Sequence, residues 1–288
     1  LTLEQLRIFV AVAEREHVTL GARDLNLTQS ATSAAIAALE ARHATKLFDR
    51  VGRRIALTEA GRVFLDEARA VLARAGAAEA VLADLSGLKR GALSIAASQT
   101  VGGYWLPERL GHFREAFPGI AVTVTIGNTQ QAAAQVREGA ADIGIVEGEV
   151  DAATLTVAPV ADDEMVLVVP PAHPWAKGRG PRDLAASPWV ARERGSGTRA
   201  IFDALAGGAV PDEKVLVLPS NEAVRGAVIA GAGAAVLSRL VVADALALGL
   251  LVAVDIKLLR RRFVALVHRD RHRTRAAAEF CRMIGIEA

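Results

Sequence analysis

A single cysteine, Cys281, stands in 288 residues, so no intrachain disulfide can form and no zinc site can be built from paired cysteines. Aromatic residues make up only 4% of the chain. With alanine abundant, the cores should be aliphatic and the helices closely spaced. No uninterrupted apolar run reaches the length of a membrane span, and no basic-then-apolar leader precedes the first amphipathic pattern. These absences predict a cytoplasmic protein with no membrane partner. Neither sign of charge dominates: a formal net charge of +2 permits a polyanion partner without requiring one. No Gly-x-Ser-x-Gly elbow or P-loop occurs, and Gly231-Ala232-Gly233 lacks the third glycine of a dinucleotide fingerprint. No catalytic residue and no cofactor is therefore expected. His268 and His272 are four apart, but they straddle the end of an expected strand among arginines, so a basic loop is the better reading than a metal pair. What is present is a 52% hydrophobic chain of a length that suits two or three domains.

The first sixty residues are the most specific. Leu3, Leu6, Phe9, Val10 and Ala13 recur at helical spacing. A second helix over 19–25 is expected to be capped by Thr19, and Asn26-Leu27-Thr28 forms a tight polar turn. The helix from about Gln29 to Arg42 has a polar first turn and an apolar body. That suits a helix entering a DNA groove by its N-terminal end while its later turns pack on a core. Residues 47–50 and 54–57 read as two short strands around Val51-Gly52-Arg53, a β wing.

A long helix then runs to about Leu85, with an apolar stripe that includes Val63, Phe64, Ala68, Val71 and Leu72. At 1.5 Å per residue it spans about 40 Å, and a second copy of itself is the simplest partner for such a stripe. Ser86-Gly87-Leu88-Lys89-Arg90-Gly91 reads as a hinge. Beyond it strands and helices alternate: strands at 92–97, 120–126, 142–146, 166–169, 215–218, 234–237 and 263–267, with helices at 105–116, 129–138 and from about 273. These βαβ units predict a largely parallel sheet and two small α/β lobes joined by two crossings. The expected division is 1–58, a winged helix-turn-helix; 59–90, a linker and dimerisation helix with hinge; and 91–288, a two-lobed α/β domain. Its first lobe takes about 91–161 and 265–288, its second about 162–264.

Four segments in order resemble the N-terminal signature of the LysR-type family of bacterial transcriptional regulators. They are the start from Leu3 to Glu14, the run from Leu25 to Glu40, Leu47-Phe48-Asp49-Arg50, and Leu57-Thr58-Glu59-Ala60-Gly61. Pro118-Gly119, 139–145 and Gly231-Ala232-Gly233 extend the resemblance more loosely over the rest. It implies a winged helix-turn-helix, a linker helix pairing two subunits, and a two-lobed α/β effector domain like periplasmic solute-binding proteins. It also implies double-stranded DNA and a small effector as partners, a homodimer or homotetramer, and RNA polymerase where the regulator activates. The chain departs from the family at Ala34, where arginine or lysine is common, at Leu20, and at His43 and Ala44, where leucine and glycine are usual. A basic reading residue in mid-helix is thus absent, which implies a shift in base readout.

Thr28, Gln29, Ser30, Thr32 and Ser33 open the recognition helix and are the candidate DNA contacts. Gln29 can pair bidentately with adenine, and the hydroxyls can serve bases or phosphates. Helix capping accounts for Thr28 and Ser30 equally simply. Arg50, Arg53 and Arg54 flank the wing and suit backbone or minor-groove contacts.

In a two-lobed α/β domain a ligand binds beyond the C-terminal ends of strands, near helix N-termini. Such ends carry Ser98 and Thr100, Thr129, Glu147, Ser196 and Thr198, and Asn221. By resemblance Ser98, Thr100, Thr129, Ser196 and Thr198 line the pocket. Hydroxyls and free amides converging there suit a carboxylate or a small inorganic anion. A solute-binding transport protein would share the last two-thirds of the chain, but not the DNA-binding start. The arginines at 260–262 and in 269–275 fit either a second nucleic-acid surface or charged strand edges.

Overall fold

The computed structural model describes residues 1–51, 54–84, 91–177 and 183–286. Arg53, the centre of the wing turn and most of the expected hinge lie outside the described residues. The chain divides into two compact units, with the boundary after Leu82.

In the first unit α1 is Leu3–Arg15, opened by a capping box in which Thr2 and Gln5 bond each other's backbone amides. Helix α2 is Val18–Asp24, and its cap differs from expectation: the Nδ1 of His17 accepts from the amide of Leu20, and Thr19 lies inside the helix. Asn26, at φ +56°, makes the turn, the conformation that asparagine tolerates better than most residues. Helix α3, Gln29–His43, follows its cap Thr28, which accepts from the amide of Ala31 at 3.2 Å. Strands β1, Phe48–Val51, and β2, Arg54–Leu57, pair antiparallel. The core joins Leu6, Phe9, Ala13, Leu39, Leu47 and Ala68.

Helix α4, Glu59–Asp84, is a single run of 26 residues. Phe64, Ala68 and Leu72 of its stripe, together with Leu65, pack on the core of their own unit. Val63 and Val71 stay exposed. Its first turn presses on the wing: Gly61 donates to the hydroxyl of Thr58, and a Cβ at Gly61 would stand 2.1 Å from the carbonyl oxygen of Leu47. Only glycine allows that approach.

The second unit begins with β3, Gly91–Ser98, a π-helical turn at Val101–Trp105, and α5, Leu106–Ala116. Then come β4, Ile120–Gly127, α6, Thr129–Glu138, β5, Ile143–Glu147, and β6, Leu155–Asp163. The second lobe holds β7, Met165–Val169, β8, Trp189–Arg192, α7, Gly197–Ala206, and β9, Val215–Leu218. It continues with α8, Asn221–Ile229, β10, Ala235–Ser238, α9, Arg239–Ala247, and β11, Val252–Val254. The chain returns to the first lobe as β12, Arg261–His268, and α10, Arg275–Met283.

The first-lobe sheet has the order β4-β3-β5-β12-β6. The first three strands are parallel, as alternation with helices predicts, but β12 is antiparallel to both β5 and β6. The second lobe departs further. Its β10-β7-β11 sheet is antiparallel; the parallel β8-β9 pair joins it through a bridge from Trp189 to Ala234. The first-lobe sheet and the β10-β7-β11 sheet are each covered on both faces. In the first lobe Leu93, Ile95, Phe113, Phe263 and Phe280 fill one side, and Ala96, Ala133, Val136 and Leu266 the other. Cys281 is a fully buried core residue of α10. Among the described residues no helix is long and apolar enough to cross a membrane.

Candidate functional site

The recognition helix presents a small, polar surface. Thr28, Gln29, Ser30 and Ser33 are exposed, as is Ala34, and the hydroxyls of Thr28 and Ser30 lie 3.1 Å apart. Thr32 corrects the expectation of five DNA-facing residues. It is 0% exposed, because the helical period sets it on the inner face with Ile36 and Leu39. Backbone pairing places Arg50 opposite Ile55 and Arg54 opposite Val51 on the wing strands.

One residue that orients this helix was not singled out from the sequence. Glu40, 8% exposed near the end of α3, accepts from the amides of Leu47 at 2.8 Å and Phe48 at 3.2 Å, and from Lys46 Nζ at 2.7 Å. It ties the back of the recognition helix to the start of the wing. Burial pushes its carboxyl up, but Lys46 and the two amides outweigh that and hold it below the usual value.

In the second unit the facing ends of the two lobes carry a buried polar network. Three of its members lie where strands of the first lobe end: Ser98 at the end of β3, Thr100 two residues on, and Glu147 at the end of β5. Ser98 donates to Oε2 of Glu147, and Thr100 to Oε1 at 3.2 Å. From the second lobe Asn221, at the start of α8, donates through Nδ2 to the Thr100 hydroxyl at 3.0 Å, and its Oδ1 accepts from Arg192 at 2.8 Å. A continuous chain therefore runs from Arg192 through Asn221 and Thr100 to Glu147.

Two further candidates serve the backbone. Thr129 donates to the carbonyl of Glu147 at 2.9 Å, and Ser196 caps α7 by accepting from the amide of Thr198. The hydroxyl of Thr198 accepts from Arg261 NH1 at 2.9 Å. All seven sequence candidates are buried. Ser98, Thr100, Glu147 and Asn221 form one chain of bonds, and Arg261, 3.6 Å from Glu147, brings Thr198 to it.

Apart from Glu147, the charged members of this network were not among the sequence candidates. Arg261 is 3% exposed and binds Asp163 through both Nε and NH2. Only Arg260 and Arg262 of that run are exposed, because strand alternation turns Arg261 to the same side as buried Phe263 and Ala265. That alternation was the available signal. Arg192 is held bidentately by Glu193. Burial drives the Glu147 carboxyl above its ordinary value, and the nearby Arg261 only partly offsets this.

Further bonds join the lobes. Gln99 donates to the carbonyl of Pro219 and accepts from the amide of Asn221; Tyr104 donates to Glu222; Asn128 donates to Glu193. Ser238 of the second lobe donates to Asp163 of the first at 2.6 Å. A Cβ on Gly197 would meet the carbonyl of Glu147 at 2.5 Å, so α7 closes on β5 only at a glycine.

Residues 3–62 match the bacterial regulatory helix-turn-helix protein of the lysR family, and residues 86–287 match the LysR substrate binding domain. The chain belongs to the LysR family. The HTH-type transcriptional regulator YeiE of Escherichia coli (strain K12) is 37% identical over 286 residues, covering 97% of this chain and 96% of that one. The CcmR regulatory domain of Synechocystis PCC6803, solved in complex with 2-PG, is 27% identical with a TM-score of 0.60, over 68% of this chain and 96% of that one. CbnR, a LysR family transcriptional regulator, shares the fold along 99% of this chain and 98% of its own, with a TM-score of 0.70 at 21% identity. As a LysR regulator the chain is a ligand-responsive DNA-binding protein. Its winged helix-turn-helix and long helix are followed by a two-lobed α/β domain.

Proposed function

We propose that the effector is a small anion held between the lobes by Ser98, Thr100, Thr198 and Asn221, with Thr129, Glu147 and Ser196 framing the site. The observation that carries this reading is the bonded chain from Arg192 to Glu147, which crosses from one lobe to the other at buried hydroxyls. A ligand that bonds to groups on both lobes binds one lobe arrangement better than another and shifts the population toward it. The 2-PG complex of the related CcmR regulatory domain supports a small ligand for this part of the chain.

At the other end Gln29 reads a base edge, Thr28, Ser30 and Ser33 contact bases or phosphates, and Arg50, Arg53 and Arg54 hold the DNA backbone or minor groove. Two copies joined along α4, whose Val63 and Val71 face outward, bind an interrupted inverted repeat. Its half-sites lie near one helical turn, or a multiple of it, apart. Selection of genomic DNA fragments by the purified protein at near-physiological salt tests this, and a recurring interrupted palindrome is expected. Arg53→Ala should weaken binding to all fragments alike, and Gln29→Ala should lose discrimination at one base position. Uniform, salt-sensitive binding with no preferred site would refute it.

A further inference from the structure

The charges of the inter-lobe network are unevenly shared among its described residues. Arg261 has a carboxylate partner in Asp163, and Arg192 has one in Glu193. Arg199, next on α7, is taken by Asp203 and by the carbonyl of Arg192. Among the described residues Glu147, 1% exposed, is paired only with Arg261, at 3.6 Å, a guanidinium that Asp163 already holds more closely. Glu147 is faced by Ser98 from β3, Thr100 beyond it, Arg261 from β12, Asp163 from β6, Arg192 from β8 and Gly197 from α7. The hydroxyls that would serve an incoming oxyanion are thus already turned toward an internal one.

An oxyanion lodged among these hydroxyls brings a second set of acceptor oxygens against the Glu147 carboxylate. Two bare oxyanions in one dry site repel, and one of the pair is driven to keep a proton. A shared proton reverses the sign of the contact, giving a short, charge-assisted O–H···O bond. We propose that Glu147 makes this cleft selective for oxyanions that carry a proton, so that it accepts hydrogenphosphate or dihydrogenphosphate and rejects a fully ionised anion of the same shape, such as sulfate. This rests on the reading of the cleft as the effector site.

Phosphate and sulfate are both tetrahedral and of similar size, and at neutral pH only phosphate carries a proton, so they isolate the contact at Glu147. Calorimetric titration of the full chain with each ion is the test, on the wild type, Glu147→Gln and Ser98→Ala. The wild type should bind phosphate about tenfold or more tighter than sulfate. In Glu147→Gln the amide can donate to a bare oxygen, so sulfate should gain affinity and the ratio should fall to about one. Ser98→Ala should weaken whatever binding is seen, which places it in the cleft.

Equal binding of both ions by the wild type, weakened by Ser98→Ala, would overturn the role of Glu147 and leave the cleft as an anion site. A preference that persists in Glu147→Gln would overturn it too. Binding of neither ion by any variant would remove the anion reading of the cleft and this proposal with it. The wild-type ratio needs no variant to fold.

Discussion

Removing the Glu40 carboxylate should destabilise the DNA-binding unit while leaving the rest of the chain unaffected. Glu40→Ala strips the acceptor from the amides of Leu47 and Phe48. A buried amide left without a partner costs about 1–3 kcal/mol. Leu47 is buried and Phe48 only partly so, so the second loss falls at the low end. The Lys46 ion pair adds little, because the lysine side chain is 78% exposed and such pairs contribute about 0–1 kcal/mol. The sum is about 2–4 kcal/mol, and at about 4–8 °C per kcal/mol for a unit this small the transition should fall by more than about 8 °C.

The sequence supplies its own control, since Trp105, Trp175 and Trp189 all lie in the second unit. Far-UV circular dichroism should show the early loss of helix, and tryptophan fluorescence should melt where the wild type does. The same carboxyl sets a pH dependence. Its folded pKa is depressed, so its contribution is full above the unfolded value, about 4.3, and is lost as pH falls through the folded one. Glu40→Gln should lose that acid-side dependence. A helix transition moved by less than about 1 kcal/mol in Glu40→Ala would refute the assignment of both amides to this side chain.

Three other substitutions have expected outcomes. Ala44 ends α3 at φ +49°, a left-handed conformation that costs a residue with a Cβ about 1–2 kcal/mol; Ala44→Gly should raise the helix transition by about 0.5–1 kcal/mol once unfolded-chain entropy is set against it. Gly61→Ala forces a Cβ onto the Leu47 carbonyl and should destabilise the first unit by about 1–3 kcal/mol, read by circular dichroism against unchanged tryptophan melting. Arg261→Met leaves Asp163 and Glu147 without their cation and should lower the tryptophan-detected transition by about 3–5 kcal/mol. Arg261→Met with Asp163→Leu should recover much of that, and failure to recover would point to Glu147 as the charge that suffers.

The helices were legible where a capping hydroxyl met an apolar stripe, as at Thr28 before α3 and Ser196 before α7. Departures came where a different group did the same job. His17 caps α2 with an imidazole nitrogen, a role for which histidine is not a usual choice. Strand β6 was not anticipated: it is the edge of its sheet, half of it faces outward, and Pro159 sits opposite an irregularity in β12. Proline is tolerated at such an edge, but it erases the alternation by which a strand is recognised. Strand direction in the second lobe was illegible for another reason. The β7 run is apolar on both faces, and such a run looks the same whether its neighbours are parallel or antiparallel.

The cleft shows how far hydroxyls alone can be read. Serine and threonine at strand and helix ends were grouped because each could cap a helix or meet a ligand. Ser196 caps and Thr129 holds a carbonyl, while Ser98 and Thr100 turn to Glu147 and Thr198 to Arg261. What separates these fates is the charged residue each one faces, and those residues lie far apart in the chain: Thr100 and Asn221 are bonded across 121 positions, Asp163 and Arg261 across 98. Parting the lobes would break the Thr100–Asn221, Gln99–Asn221 and Arg261–Thr198 bonds together. An effector that stabilises the parted arrangement has to satisfy the groups so exposed, Thr100, Asn221 and Thr198 among them.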